Sequence, residues 1–291
     1  MTTESSVPHW QDRGWNGLFF QLPASWQPTV IYPAYLFFEQ EGKPALEIKW
    51  QQIQGGFSAE KILDQLRSNL TNETRLAPWT PPREIQQLLA AYTVSGFQAQ
   101  HENSCRHGLI LFCPECKRVT LLRWYMDFAD EKKTLGRILE SFRDHGEGPK
   151  QLWSLYDIRM LLPAGAVPRS HEFLPGRYTL CFENNGTAVT LYRFKPAGTL
   201  LHNKNIGKFG ASLLNRPPRE EGGGQAFWLY KAKGLELLLA KARRQPPWQW
   251  MRLWHEPEHN AILGVKAEGK CLIETGWLET ICADYTSLKL C

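Results

Sequence analysis

The chain has 291 residues, is 43% hydrophobic and 22% charged, and carries a net charge of +5. This composition excludes a disordered or collagen-like polymer and allows two domains of ordinary size. No run approaches about 20 consecutive apolar residues, so no membrane-spanning helix is expected.

The first fifteen residues contain neither a basic run nor an apolar run of the kind that opens a secretory signal. The seven cysteines are odd in number and irregularly spaced. Free thiols in a reducing cytoplasm are the expectation. Charge is uneven along the chain. Residues 1–150 hold 16 Lys+Arg and 17 Asp+Glu, a net −1, whereas residues 151–291 hold 18 and 12, a net +6. The second half is therefore the candidate for an acidic partner or nucleic acid.

Taken in chain order, the apolar run Leu18–Leu22 ends in Pro23-Ala24. Proline closes a strand because it has no N–H for the ladder. Next come Phe38, a Glu41-Gly42 turn, and the alternating Leu46, Ile48 and Trp50, which together read as a hairpin with one buried face. Ser58 is placed to cap a helix carrying Ala59, Ile62, Leu63, Leu66 and Leu70 on one side. Two strands, 108–112 and 119–124, flank Cys113-Pro114-Glu115-Cys116. Asp130 is placed to cap a second helix carrying Leu135, Ile138, Leu139 and Phe142.

The segment 146–151 is rich in glycine, proline and charge and reads as a linker. Beyond it the pattern recurs. Trp153 and an apolar run end in Leu162-Pro163-Ala164, and Phe182, Asn185-Gly186, Val189 and Leu191 repeat the hairpin. The chain is thus expected to be a duplication of one α+β domain, with copies at 10–146 and 151–291. Each copy is expected to be an antiparallel sheet flanked by helices. The late hairpin of the second copy is placed at 261–265 and 271–277, with a turn at Ala267-Glu268-Gly269. That placement leaves no room for a closing helix. Residues 216–225 read as a mobile loop, and 235–239 as a leucine-rich helix ending in Lys241, Arg243 and Arg244.

The elements around Phe19-Phe20-Gln21-Leu22-Pro23-Ala24-Ser25-Trp26, with the helices at 58–70 and 130–142, resemble the PsbP-like α/β/α sandwich. The resemblance rests mainly on the first half. It implies a non-catalytic binding or assembly factor and assigns no functional residue.

Cys113 and Cys116 form a CxxC turn, the arrangement by which a zinc knuckle presents two thiolates. Zinc, a redox pair and a plain turn with two thiols remain open readings. Cys105 and His107 lie nearby in sequence, but a strand over 108–112 would carry His107 about 20 Å from Cys113, so further ligands must come from elsewhere. His255-Glu256-Pro257-Glu258-His259 spells HExxH, but Pro257 opposes the helix that would bring both histidines to one metal. The triple glycine 222–224 has no following Lys-Ser/Thr and makes no phosphate cradle. Trp248, Trp250, Arg252 and Trp254, with Arg243 and Arg244 just before, form the candidate binding surface, because Trp and Arg dominate interface hot spots and stack on bases. The competing reading is a core strand with Trp248, Trp250 and Leu253 inward. Together these features point to a partner-binding or assembly protein without catalysis. The alternatives are a nucleic-acid-associated protein using the basic half, or an enzyme whose cleft is lined by 71–84 and 203–225.

Overall fold

The computed structural model describes residues 9–68, 74–101, 104–126, 132–146, 148–214, 216–242 and 245–289. Leu70, Asp130, Arg243 and Arg244 lie outside the described residues. The chain divides into two compact units, Met1–Glu147 and Gly148–Leu290. Among the described residues, no helix is long and apolar enough to cross a membrane.

The first unit runs β1 (Trp10–Trp15), β2 (Leu18–Pro23), β3 (Trp26–Tyr32), β4 (Tyr35–Gln40), β5 (Lys43–Gln52), α1 (Ala59–Ser68), β6 (Thr74–Trp79), α2 (Arg83–Leu88), β7 (Thr93–His101), β8 (Ser104–Phe112), β9 (Arg118–Trp124) and α3 (Lys132–Ser141). The second runs β10 (Lys150–Leu155), β11 (Ile158–Pro163), β12 (Val167–Leu174), β13 (Arg177–Asn184), β14 (Thr187–Phe194), α4 (Ala197–Leu200), α5 (Ile206–Leu214), β15 (Glu220–Gly222), β16 (Gln225–Lys231), α6 (Gly234–Ala242), β17 (Trp248–Glu256), β18 (Ala261–Gly269), α7 (Gly276–Asp284) and β19 (Thr286–Ser287).

Each unit pairs an antiparallel hairpin, β1–β2 or β10–β11, with a seven-stranded sheet. The sheet orders are β3-β4-β5-β9-β8-β7-β6 and β12-β13-β14-β18-β17-β16-β15. They follow the same path strand for strand, as a duplicated α+β domain requires. Local chemistry repeats as well. Glu41-Gly42 and Asn185-Gly186 both take positive φ (51° and 75°; 49° and 75°), the conformation of a two-residue hairpin turn. Edge strands β3 and β12 each carry a proline, Pro28 and Pro168, followed by a register shift. Proline and a bulge at an edge remove the flat ladder on which a second chain would pair.

Both faces of each sheet are covered. In β8 the side chain of Ile110 joins Leu63, Phe97 and Val119 beneath α1. Its neighbours Leu109 and Leu111 are also buried, and alternation sends them to the opposite face. That face receives the β1–β2 hairpin, whose Phe20 meets Phe38 edge to face at 5.8 Å, and α3, which packs on β2. In the second unit α5 covers Phe194, Trp228, Met251 and Leu253, while α7 packs on β11 and β18. Each large apolar side chain buried this way contributes roughly 1.5–3 kcal/mol.

Several expectations are corrected. The second copy does have a closing helix, α7, with Leu278, Ile281 and Cys282 buried. Residues 271–277 do not form a strand, and 267–269 do not form the turn. Ala267 instead lies inside β18, paired with Val189 on one side and Trp250 on the other. The counterpart of β8–β9 is therefore β17–β18. Residues 216–225 include β15 and the start of β16 rather than only a loop, and 203–225 holds α5. Residues 71–84 hold β6 and the start of α2.

Candidate metal centre

The β8–β9 turn is closed by local bonds. The Cys113 N–H donates to the Arg118 carbonyl (2.9 Å), and the Lys117 N–H to the Cys113 carbonyl (3.1 Å). Lys117 takes φ 57°, the left-handed residue that turns the chain back into β9. Gln52 Nε2 donates to the Cys116 carbonyl (3.1 Å), holding the far side of the turn. Cys113 is buried and Cys116 half-buried.

A second segment meets this turn. After α3, Phe142 is buried, and Arg143 exchanges two backbone hydrogen bonds with Phe19 of β2, both 2.8 Å. That pairing fixes the chain so that Asp144 and His145 lie against the thiols. The Arg118 guanidinium donates to the Asp144 carbonyl and ties the two segments together. Cys116 Sγ donates to Asp144 Oδ2 at 3.3 Å, His145 Nδ1 lies 2.7 Å from Asp144 Oδ1, and Cys113 Sγ lies 3.7 Å from His145 Nδ1. One donor atom from each of the four residues falls within 4.8 Å of all the others.

This donor set fits a tetrahedral ion of the zinc class. Zn–S and Zn–N bonds of about 2.3 and 2.0 Å imply tetrahedron edges of about 3.3–3.8 Å; the contacts of 3.3 and 3.7 Å to the thiols match, whereas the 2.7 Å contact between His145 and Asp144 would have to open for both to coordinate. Two thiolates and one imidazole are soft and borderline ligands, and together with one carboxylate they suit zinc rather than magnesium or calcium, which take all-oxygen sets. The surrounding groups match the outer layer of such a site. Glu115 Oε2 lies 3.2 Å from His145 Nε2, so the ring can donate there and offer Nδ1 as the ligand. The Tyr92 hydroxyl donates to Asp144 Oδ1 (3.3 Å) and accepts the Asp144 N–H (3.2 Å). Asp144 is only 1% exposed. Without a cation, burial, reinforced by the Asp144 carboxylate, pushes the Cys116 thiol up to about 12. The Tyr92 hydroxyl is likewise pushed up, by burial first and Asp144 second.

The second unit shows what the same junction looks like with a different residue set. Its β17–β18 turn reads Glu256-Pro257-Glu258-His259-Asn260, in register with Cys113-Pro114-Glu115-Cys116-Lys117, and Asn260 (φ 49°) stands where Lys117 does. Glu256 replaces Cys113 and His259 replaces Cys116. Glu256 Oε2 accepts the Ser287 N–H (3.0 Å) from the segment after α7, and His259 Nδ1 lies 3.5 Å from the same carboxylate oxygen. This turn closes on its helix through a direct hydrogen bond. The HExxH letters divide between β17 (His255) and a short 3-10 turn (His259), so no helix presents the two histidines together.

The described residues read as a binding surface, Trp248, Trp250, Arg252 and Trp254, share one face of β17, but none is exposed. Trp250 is fully buried in the sheet and meets Phe227 edge to face. Trp248 is half-buried, with the Lys231 ammonium 4.4 Å from its ring centre. Trp254 packs on Tyr285, and Arg252 bridges Glu279 and Gln225. Alternation along β17 puts Trp248, Trp250, Arg252 and Trp254 on one face and Met251 and Leu253 on the other, in the core, and the burial of Trp250 interrupts any exposed Trp–Arg stripe. His107 is held between the rings of Trp79 and Trp124, and Cys105 is exposed on β8, so neither joins the thiol cluster. Asp144 and His145 went unread in the sequence. The available signal was their acidic and imidazole chemistry directly before the glycine-rich segment.

No protein-family model matches the chain, and no curated protein matches it in sequence. Among solved structures it is similar to cyanobacterial PsbP (CyanoP) from Synechocystis sp. PCC 6803, with 9% identity over 50% of this chain and 98% of that one, at a TM-score of 0.36. It is also similar to a protein of Bacteroides thetaiotaomicron VPI-5482, with 11% identity over 50% of this chain and 49% of that one, at a TM-score of 0.29.

Proposed function

We propose that this chain is a non-enzymatic partner-binding protein whose first unit carries one structural zinc ion on Cys113, Cys116, Asp144 and His145. The observation that carries the reading is the convergence of four ligand atoms from two segments about 30 residues apart in sequence, within 4.8 Å of one another. Four protein donors fill a tetrahedral sphere and leave no position for a substrate or an activated water, which is the mark of a structural rather than a catalytic site. The ion would clasp the β8–β9 turn to the segment after α3, the task that the Ser287–Glu256 hydrogen bond performs in the second unit. A clasp of this kind stiffens a surface turn for recognition.

The test is metal analysis of protein purified without chelators or metal-affinity resin, together with a pull-down from its host. About one zinc per chain, lost in Cys113→Ser and His145→Ala, is the expected result. Metal-free wild-type protein with an unaltered melting profile would remove the zinc reading. Turnover of a substrate at the clasp would remove the non-enzymatic one.

A further inference from the structure

The two thiols of the β8–β9 turn are also within reach of each other. The Lys117 N–H donates to the Cys113 carbonyl (3.1 Å), which closes a single turn of the i to i+4 kind. Residues three apart on such a turn lie side by side. The Sγ atoms of Cys113 and Cys116 accordingly fall within 4.8 Å of each other. A disulfide needs about 2.0 Å between its sulfurs, and rotation about the two Cα–Cβ bonds covers the difference.

The two sulfurs differ in access. Cys113 is 3% exposed, whereas Cys116 is half-buried and the residues between them, Pro114 and Glu115, face solvent. An oxidant as small as hydrogen peroxide therefore meets Cys116 first. An accessible thiol beside a second, resolving thiol is the arrangement of redox-sensing cysteines. The second unit shows that the fold does not require thiols at this junction. There Glu256 and His259 stand in their place, and the turn is tied by the Ser287–Glu256 hydrogen bond, which no oxidant breaks. Of the two junctions, the thiol-bearing one is the one that oxidation can open.

We propose that Cys113 and Cys116 make the zinc clasp a peroxide-responsive switch, in which their oxidation to a disulfide expels the ion and frees the segment after α3. The inference rests on the zinc reading of the same four residues. As zinc ligands both sulfurs are thiolates, the nucleophilic form. Cys116 Sγ attacks one oxygen of the peroxide, the O–O bond breaks, hydroxide leaves, and Cys116 becomes a sulfenic acid. Cys113 Sγ then attacks Cys116 Sγ, forms the S–S bond and expels the second hydroxide. Two electrons pass from the thiolate pair to the peroxide. A disulfide is no thiolate ligand, so Asp144 and His145 are left with half of a coordination sphere. The backbone bonds between Arg143 and Phe19 are untouched, and the unit stays folded while its turn comes free of the segment beyond.

The experiment treats the full, zinc-loaded chain with excess hydrogen peroxide and reads two signals. One is zinc freed to a chromogenic chelator. The other is the mass of the tryptic peptide His107–Lys117, which holds Cys113 and Cys116 and no other cysteine. About one zinc per chain is expected to be freed as this peptide loses two hydrogens, and dithiothreitol followed by zinc is expected to restore both signals. Cys105→Ser/Cys271→Ser, which removes two exposed thiols outside the clasp, is expected to respond as wild type does. The inference is overturned, with the zinc reading intact, if the loaded chain keeps its ion under peroxide. It is likewise overturned if the peptide gains oxygen instead of forming the disulfide, or if the response disappears in the Cys105→Ser/Cys271→Ser chain. A reduced chain that holds no zinc overturns the zinc reading itself and this inference with it.

Discussion

Cys116→Ser separates a zinc clasp from a plain turn by the sign of its effect. The Cys116 thiol donates to Asp144 Oδ2 at 3.3 Å. In a turn without metal, serine places a better donor at the same point. A hydrogen bond to a buried carboxylate is worth about 1.5–3 kcal/mol, so the variant would be neutral or slightly stabilised. In a zinc site the same change removes one of two thiolates. Ligand binding stabilises the native state by RT ln(1 + [L]/Kd), about 4 kcal/mol at a thousandfold excess over Kd. For a unit of this size each kcal/mol shifts the midpoint by about 3–4 °C, so the first unit would melt some 12–16 °C earlier, within the usual two-state scaling. The assay is differential scanning calorimetry of wild type and variant, with and without a chelator. Wild type is expected to fall to the level of the variant when chelated, and the variant to ignore the chelator. A variant that melts at or above wild type, with no chelator effect on either, refutes the coordination argument.

Other consequences of the packing are as direct. Asp157 is fully buried and accepts hydrogen bonds from Arg193 and Lys195, so Asp157→Asn leaves two cations without their carboxylate; a loss of about 3–5 kcal/mol in urea unfolding is expected. Trp250→Ala should cost about 3–5 kcal/mol because Trp250 is a core residue, whereas Trp248→Ala, at a half-buried site, should cost clearly less in the same titration. A Cβ at Gly96 would collide with the Trp79 carbonyl, a backbone atom that cannot swing away, so Gly96→Ala is expected to destabilise by about 1–3 kcal/mol, read as a lower chemical-denaturation midpoint.

Some of the molecule is written locally. Ser58 caps α1 as its position suggests, its Oγ accepting the Lys61 N–H at 3.3 Å, because a cap needs only residues three apart. The Glu41-Gly42 and Asn185-Gly186 turns declare their hairpins through the positive φ they permit. Other elements were hidden by competing local signals. Gly207 and Gly210 weaken the helical pattern of 206–214, yet Gly210 is where α5 lies so close to Trp228 and Leu253 that no side chain fits. In α7 the spacing of Leu278, Ile281 and Tyr285 is helical, but the apolar letters just before it read equally well as a strand.

What the sequence by itself determined was the α+β class, the antiparallel hairpins, the repeat and the thiol pair at Cys113 and Cys116. Those follow from side-chain periodicity and turn chemistry over a few neighbouring residues. What only the tertiary structure decided was that Asp144 and His145 complete that pair and that Trp250 is core. It also decided that Glu256-Pro257-Glu258-His259 is the second unit's version of the cysteine turn. Coordination and burial depend on ångström-scale positions set by two backbone bonds between Arg143 and Phe19, contacts more than a hundred residues apart that no local pattern encodes.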